Sequence, residues 1–257
     1  MTRKETLAEG VEVWLGDCAE ILPTLGPIDA LISDPPYGIA HVKGAGGKGK
    51  HNRRNISPIA GDAEPFDPSL LLNFPNVLIW GADHYAARLP ADSGRWLAWN
   101  KLDDMESFDS FSDVEFAWHS RRAAARIFSF KWKGIASVKA GEEPTREHPT
   151  QKPVALMRWC IEQAGVPAGG LIVDPYMGSG TTGVAAVKQG YRFVGVEIDT
   201  AHFDTACRRI RAAIDSPDMF VEPPKPMKQA EIDWHASMDD LQLAVSPRIL
   251  RGFGDAA

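Results

Sequence analysis

Short apolar runs alternate with amphipathic stretches along most of this chain, a pattern that predicts an α/β fold built on a mainly parallel sheet. Strands are predicted at Val11–Leu15, Ala30–Ser33, Val77–Trp80, Arg95–Trp99, Val114–Trp118, Arg126–Phe130, Leu171–Val173 and Arg192–Val196. Helices are predicted over Ala82–Leu89, Pro153–Ala164, Thr181–Gln189 and Ala201–Ile214. The last of these opens on Asp199-Thr200 as an N-cap and places Phe203, Ala206, Ile210 and Ile214 on one face, a stripe suited to core packing.

Two segments break the alternation. Residues Gly38–Asp62 are rich in Gly and Lys and have no apolar periodicity; a loop of that length inside a compact domain points to function or disorder. From Ser216 the chain reads SPDMFVEPPKPMK, a proline-containing linker, so the expected division is a catalytic domain at 1–215 and a linker with a tail at 216–257. There is no internal repeat.

At 257 residues, 44% of them hydrophobic, the chain can bury a sizeable core. No run of eighteen apolar residues exists, and charges stand where a signal peptide needs its apolar stretch; no membrane association and a cytoplasmic location are therefore expected. Cys18, Cys160 and Cys207 lie far apart and form no C-x-x-C, which argues for buried thiols rather than a disulfide framework or a metal site. The formal net charge of -6 is unlike that of a typical nucleic-acid binder, yet its distribution is uneven. His41–Arg54 carries Lys43, Lys48, Lys50, Arg53 and Arg54 with no acid, a local patch able to meet phosphates.

Two motifs carry chemistry. LIVDPYMGSGTTG at 171–183, followed by YRFVGVEID at 191–199, reads strand, glycine turn, helix, strand, acid. Gly178, Gly180 and Gly183 fit G-x-G-x-x-G, and Glu197 stands near the roughly 20-residue spacing expected of a ribose-binding carboxylate, so a nucleoside ligand is expected. A nicotinamide dinucleotide is one candidate. Asp174 beside the turn would repel its pyrophosphate, and suits instead a ligand with a cationic amino group, such as the methionine end of S-adenosylmethionine. The second motif, DALISDPPYGI at 29–39, runs an apolar strand into Asp34-Pro35-Pro36-Tyr37. An isolated D-P-P reads equally as a capped proline turn. Here it ends a buried strand, where α/β folds place ligands, and an aromatic follows at once. Two acceptors, the Asp34 carboxylate and the Pro35 carbonyl, could bind both N–H groups of a base amine and aim its lone pair at a methyl donor. Tyr37 would stack on the base after it is flipped from the duplex, recovering about 1–3 kcal/mol of the unstacking cost.

With these motifs in this order, the chain resembles the beta class of DNA amino-methyltransferases, in which D-P-P-Y precedes the cofactor motif. The resemblance rests on Gly16-Asp17-Cys18, Asp34–Tyr37, His148-Pro149-Thr150-Gln151-Lys152-Pro153, Asp174–Thr182 and Glu197, and covers Val11 to about Ile214. It implies a doubly wound, mainly parallel seven-stranded sheet of the S-adenosylmethionine-dependent methyltransferase fold, with the strands ending at Asp34 and Val173 side by side. It implies that Asp17 and Cys18 lie at the cofactor adenine and Glu197 at its ribose. Thr150, Lys152, Asp174, Pro175, Met177, Gly178, Ser179, Gly180 and Thr181 would surround its methionine part. The implied substrate is double-stranded DNA, at adenine N6, which D-P-P-Y favours; cytosine N4, for which the family more often uses Ser in place of the Asp, is the alternative.

Little of the chain is left for a large target-recognition domain. Site recognition is therefore expected from 38–62, from 131–147, from the tail, or from a second subunit of a homodimer. Restriction-modification is the expected context. Three other readings compete: a nicotinamide oxidoreductase, which leaves Asp34–Tyr37 without a role; a non-catalytic DNA-binding module; and methylation of RNA or of protein glutamine, for which Asn is typical at position 34.

Overall fold

The computed structural model describes residues 2–38, 64–102, 112–131 and 151–216. Among them nine strands form one sheet: Arg3–Ala8 (β1), Val11–Leu15 (β2), Ala30–Ser33 (β3), Val77–Trp80 (β4), Arg95–Asn100 (β5), Val114–His119 (β6), Arg126–Ser129 (β7), Leu171–Asp174 (β8) and Arg192–Glu197 (β9). The order is β1-β2-β9-β8-β3-β4-β6-β5-β7. From β2 to β4 every pairing is parallel, and the antiparallel pairs lie toward the edges, at β1–β2, β4–β6 and β6–β5.

Both faces of the sheet are covered, which is why the central strands read as unbroken apolar runs. Ala30, Ile32, Leu78 and Trp80 pack with the helices Val154–Ala164 (α2), Thr181–Lys188 (α3) and Thr200–Asp215 (α4). Their neighbours Leu31, Val77 and Ile79 face a second cluster with Val173, Val196 and Leu71, capped by the short helix Cys18–Ile21 (α1). β3 and β8 are hydrogen-bonded neighbours, with Leu31 opposite Val173, as expected. The chain leaves β3 toward β4 on one side and β8 toward β9 on the other, so the topological switch point lies between them. That is where an open α/β sheet places its ligand.

Three expectations need correction. The sheet has nine strands, not seven. β1 was hidden because it is a charged edge strand, RKETLA, folded onto β2 through Glu9-Gly10 with Gly10 in the left-handed region at φ 72. Second, Ala82–Leu89 is a turn followed by a single 3-10 turn at Ala86–Arg88. The Tyr85 hydroxyl donates to the Trp80 carbonyl at 2.5 Å, a tertiary bond that ties this stretch back to the end of β4. Third, Pro153 is the N-cap of α2 rather than its first helical residue. The Asp199 cap forms as expected, accepting from the Ala201 and His202 amides, and the α4 stripe Phe203, Ala206 and Ile210 is fully buried.

Candidate active site

The cofactor-type residues gather at the carboxyl ends of β2, β9 and β8. Asp17 follows β2 and caps α1, accepting from the Ala19 amide at 2.8 Å; it is exposed, while Cys18 beside it is buried. The Gly16 amide bonds the Glu197 carbonyl at 2.9 Å, which sets Asp17 next to the end of β9. Glu197 accepts from Gly178 N–H at 2.9 Å through one carboxylate oxygen, and from Ile198 and Asp199 N–H at 2.9 and 2.8 Å through the other. Burial pushes its carboxyl above the ordinary value, against those three donors.

The glycine turn divides its labour. A Cβ on Gly178, whose φ is 52, would meet no atom within 4 Å, so this residue faces open space. One on Gly180 would press on Ala206, and one on Gly183 would lie 2.5 Å from Ile210 and 2.7 Å from Phe193. Gly178 therefore offers backbone to a ligand, whereas Gly183 allows α3 to pack closely on α4 and β9. Beneath the turn, the buried Arg209 of α4 donates to the Ser179 carbonyl at 2.6 Å, the Ser179 hydroxyl at 3.0 Å and the Thr181 hydroxyl at 3.2 Å. Met177 is buried and its sulfur stands where a side chain on Gly195 would need to be.

Asp174 joins the two halves of the site. It accepts from the Ser33 hydroxyl at the end of β3, at 2.6 Å, and from the Tyr176 amide at 3.1 Å. Burial raises its pKa to about 6 despite these bonds.

One residue past Ser33 stands Asp34. Its Oδ1 accepts from the Tyr37 hydroxyl at 2.5 Å and its Oδ2 from Lys152 Nζ at 2.7 Å. Lys152 Nζ also donates to the Tyr37 hydroxyl at 3.0 Å and lies 3.0 Å from Glu115 Oε2. Lys101 donates to the other Glu115 oxygen, Oε1, at 3.1 Å. Burial opposes the charge on Glu115, but the two lysines outweigh it and hold its carboxyl at about 2. Burial likewise opposes the Lys152 charge; Asp34, Glu115 and Tyr37 overcome it, and its pKa stands well above the ordinary value. The Tyr37 ring stacks on His84 at 5.0 Å between centroids and covers Gly81, where a Cβ would fall 2.0 Å from the ring. The D-P-P-Y turn is thus fixed by groups on β6, on the approach to α2 and on the turn after β4.

The structure brings Asp34–Tyr37, Asp17, Cys18, Lys152, Asp174–Thr181 and Glu197 to one end of the sheet. Lys152 lies on the Asp34 side. Thr150 and the five basic residues Lys43, Lys48, Lys50, Arg53 and Arg54 lie outside the described residues, as do 132–147 and 217–257. Sequence reasoning passed over Ser33, Glu115, Lys101, His84 and Arg209. A signal existed for two of them: Glu115 is the one charge near the start of the apolar run VEFAWH, and Arg209 falls on the buried side of α4 at helical spacing from Phe203 and Ala206.

The pattern of the DNA methylase family matches residues 78–208, about half of the chain. The chain belongs to the DNA methylase family. This methylase is 40% identical over 81 residues to the Type II methyltransferase M2.DpnII of Streptococcus pneumoniae, a match covering 32% of this chain and 30% of that protein. It is 41% identical over 66 residues to the DNA adenine methyltransferase YhdJ of Escherichia coli (strain K12), covering 26% and 22%. The matched stretches therefore span less than a third of either relative. Among solved structures, the PvuII DNA methyltransferase (cytosine-N4-specific) superposes with a TM-score of 0.50 at 14% identity, covering 81% of this chain and 87% of that one, a likeness of fold alone. Family membership leaves the nicotinamide oxidoreductase reading without support. No helix among the described residues is long and apolar enough to cross a membrane.

Proposed function

We propose that this methylase transfers a methyl group from S-adenosylmethionine to N6 of adenine in double-stranded DNA. The observation that carries the reading is the juxtaposition across β3 and β8: the Asp34 carboxylate follows Ser33, and Ser33 is hydrogen-bonded to Asp174 at the head of the glycine turn. An amine acceptor and a nucleoside-type site thereby share one switch point. The name of one relative, the DNA adenine methyltransferase YhdJ, supports adenine, and an Asp at position 34 accords with it.

The residues present suit the cofactor. Glu197 is a buried carboxylate at a strand end, held by three backbone donors with one acceptor site, on Oε2, to spare for a ribose hydroxyl, and Gly178 leaves open space before it. Asp17, Cys18, Thr150, Asp174, Pro175, Met177, Ser179, Gly180 and Thr181 are assigned to the rest of that site, whereas Lys152, also expected there, is bonded to Asp34. S-adenosylmethionine, when bound, supplies the electrophilic methyl group. Asp34 and the Pro35 carbonyl accept the two N–H groups of the base amine, drawing the nitrogen lone pair out of conjugation. Pro35 and Pro36 stiffen that turn, and Tyr37 provides the aromatic wall. As the N–C bond forms and the C–S bond breaks, the amine nitrogen becomes cationic; it regains neutrality by releasing a proton toward Asp34 and solvent.

DNA contacts are assigned to Lys43, Lys48, Lys50, Arg53 and Arg54, and a homodimer would supply further recognition surface. Sequencing with modified-base detection, on DNA from cells expressing the protein, tests the reading. N6-methyladenine at a defined site is expected; N4-methylcytosine would move the assignment to the other base, and unmodified DNA would reject it.

A further inference from the structure

The acceptor that a base amine needs is already taken. Lys152 Nζ donates to Asp34 Oδ2 at 2.7 Å, while the Tyr37 hydroxyl holds Oδ1. An ammonium and an aromatic amine present the same kind of N–H donor, so a base reaching Asp34 competes with these two for the carboxylate. Tyr37 sits three residues away in the same stiff turn, its ring packed on His84 and Gly81. Lys152 comes from another segment on a long flexible stem, and is the donor able to leave.

Leaving is costly for a lysine only 10% exposed, because a buried cation without a partner is strongly unfavourable. Glu115 removes that cost. Its Oε2 already lies 3.0 Å from Lys152 Nζ, a close ion contact that is not an aligned hydrogen bond. Lys101 holds the other oxygen and so keeps Oε2 turned toward Lys152. The row Lys101, Glu115, Lys152, Asp34 alternates in charge, and Lys152 can shift its bonds along it without becoming unpaired. We propose that Lys152 is a stand-in for the substrate amino group on Asp34, and that Glu115 is the positioning residue that retains Lys152 when the base takes its place. The inference rests on the base-amine reading above.

A merely structural ion network would tie β6 to the segment before α2 and act through stability. The stand-in acts on the binding of the base. The test is steady-state methylation of a duplex oligonucleotide carrying the site found by sequencing, with thermal unfolding and S-adenosylmethionine calorimetry on each variant. Glu115→Gln is expected to raise KM for DNA about tenfold, with kcat changed far less and cofactor affinity within twofold. Glu115→Asp, which keeps the charge, is expected to recover most of that loss and carries the test if the Gln variant does not fold. In a Lys152→Met background, where no stand-in has to leave, Glu115→Gln should add less than twofold to KM. An equal effect of Glu115→Gln in both backgrounds, a loss confined to kcat, or a wild-type KM in Glu115→Gln would each overturn the inference. Absence of methyl transfer by the wild-type protein would reject the base-amine reading and this inference together, whereas wild-type transfer with any of those three results rejects the inference alone.

Discussion

At the scale of single residues, the Glu197 carboxylate both binds and builds. It holds the Gly178 amide and its own strand end, and in the proposed function it also accepts a ribose hydroxyl. Hydrogen bonds to a charged acceptor contribute about 1.5–3 kcal/mol each, so Glu197→Ala should weaken S-adenosylmethionine binding by tenfold or more while DNA binding without cofactor changes little. Calorimetry showing an unchanged cofactor affinity would mean the carboxylate has been misassigned. His119 makes a second, independent point. It is fully buried on β6; its Nδ1 accepts from Arg95 Nε at 3.2 Å, so its proton sits on Nε2, facing the Asn76 carbonyl oxygen at 2.9 Å. Burial first, and Arg95 and Arg121 after it, lower its pKa from 6.5 to about 4. Between those values the unfolded chain binds the proton and the folded protein does not, so this residue's contribution is intact above pH 6.5 and is lost as pH falls toward 4. Asp174, raised to about 6, works the opposite way in much of that window. The difference in stability between wild type and His119→Gln isolates the histidine, and should shrink by up to about 1.4 kcal/mol per pH unit on acidification. A difference that stayed constant from pH 7 to pH 4 would show that His119 does not titrate as its surroundings require.

At the scale of elements, legibility followed burial. The central strands were readable because β3 and β4 are buried at every position and apolar at all but Ser33, and α4 because its Asp199 cap and buried stripe are both local signals. The elements that escaped carry their information elsewhere. β1 is polar because only one of its edges and part of one face are covered, and the stretch after Gly81 is decided by tertiary bonds such as Tyr85 to Trp80. The site divides in the same way. Asp34–Tyr37 and the glycine turn are contiguous motifs, whereas Lys101 meets Glu115, and Glu115 meets Lys152, only because β5 and β6 bring them there, a proximity no spacing in the sequence encodes. The segment 38–62 is the element assigned to DNA on its charge alone. Neutralising Lys43, Lys48, Lys50, Arg53 and Arg54 together should weaken DNA binding and flatten its salt dependence by roughly 0.9 per lost phosphate contact, leaving cofactor affinity intact. An unaltered salt slope would move the phosphate contacts to another segment, with 217–257 the next to be tested.

At the scale of the whole molecule, the proposed function has an acidic protein of net charge -6 act on a polyanion, which places the burden of DNA binding on local charge and on the shape of one end of the sheet. That end is where β2, β9, β8 and β3 deliver their carboxyl termini in parallel, and where Asp17, Glu197, the glycine turn and Asp34 meet. In the proposed function the division of labour along it is sharp: β2, β9 and β8 serve the nucleoside, and β3 serves the base. Cofactor binding and methyl transfer should therefore separate under mutation. The decisive measurement is mass spectrometry of nucleosides from DNA incubated with S-adenosylmethionine and either wild type or Asp34→Ala, alongside calorimetry of cofactor binding to both. N6-methyladenine should appear with the wild-type protein and be absent with Asp34→Ala, while the two bind S-adenosylmethionine with affinities within about threefold, a difference under about 1 kcal/mol. Methylation by a folded Asp34→Ala variant at a rate close to wild type would contradict the assignment of the base to Asp34, and with it the chemistry proposed for this site.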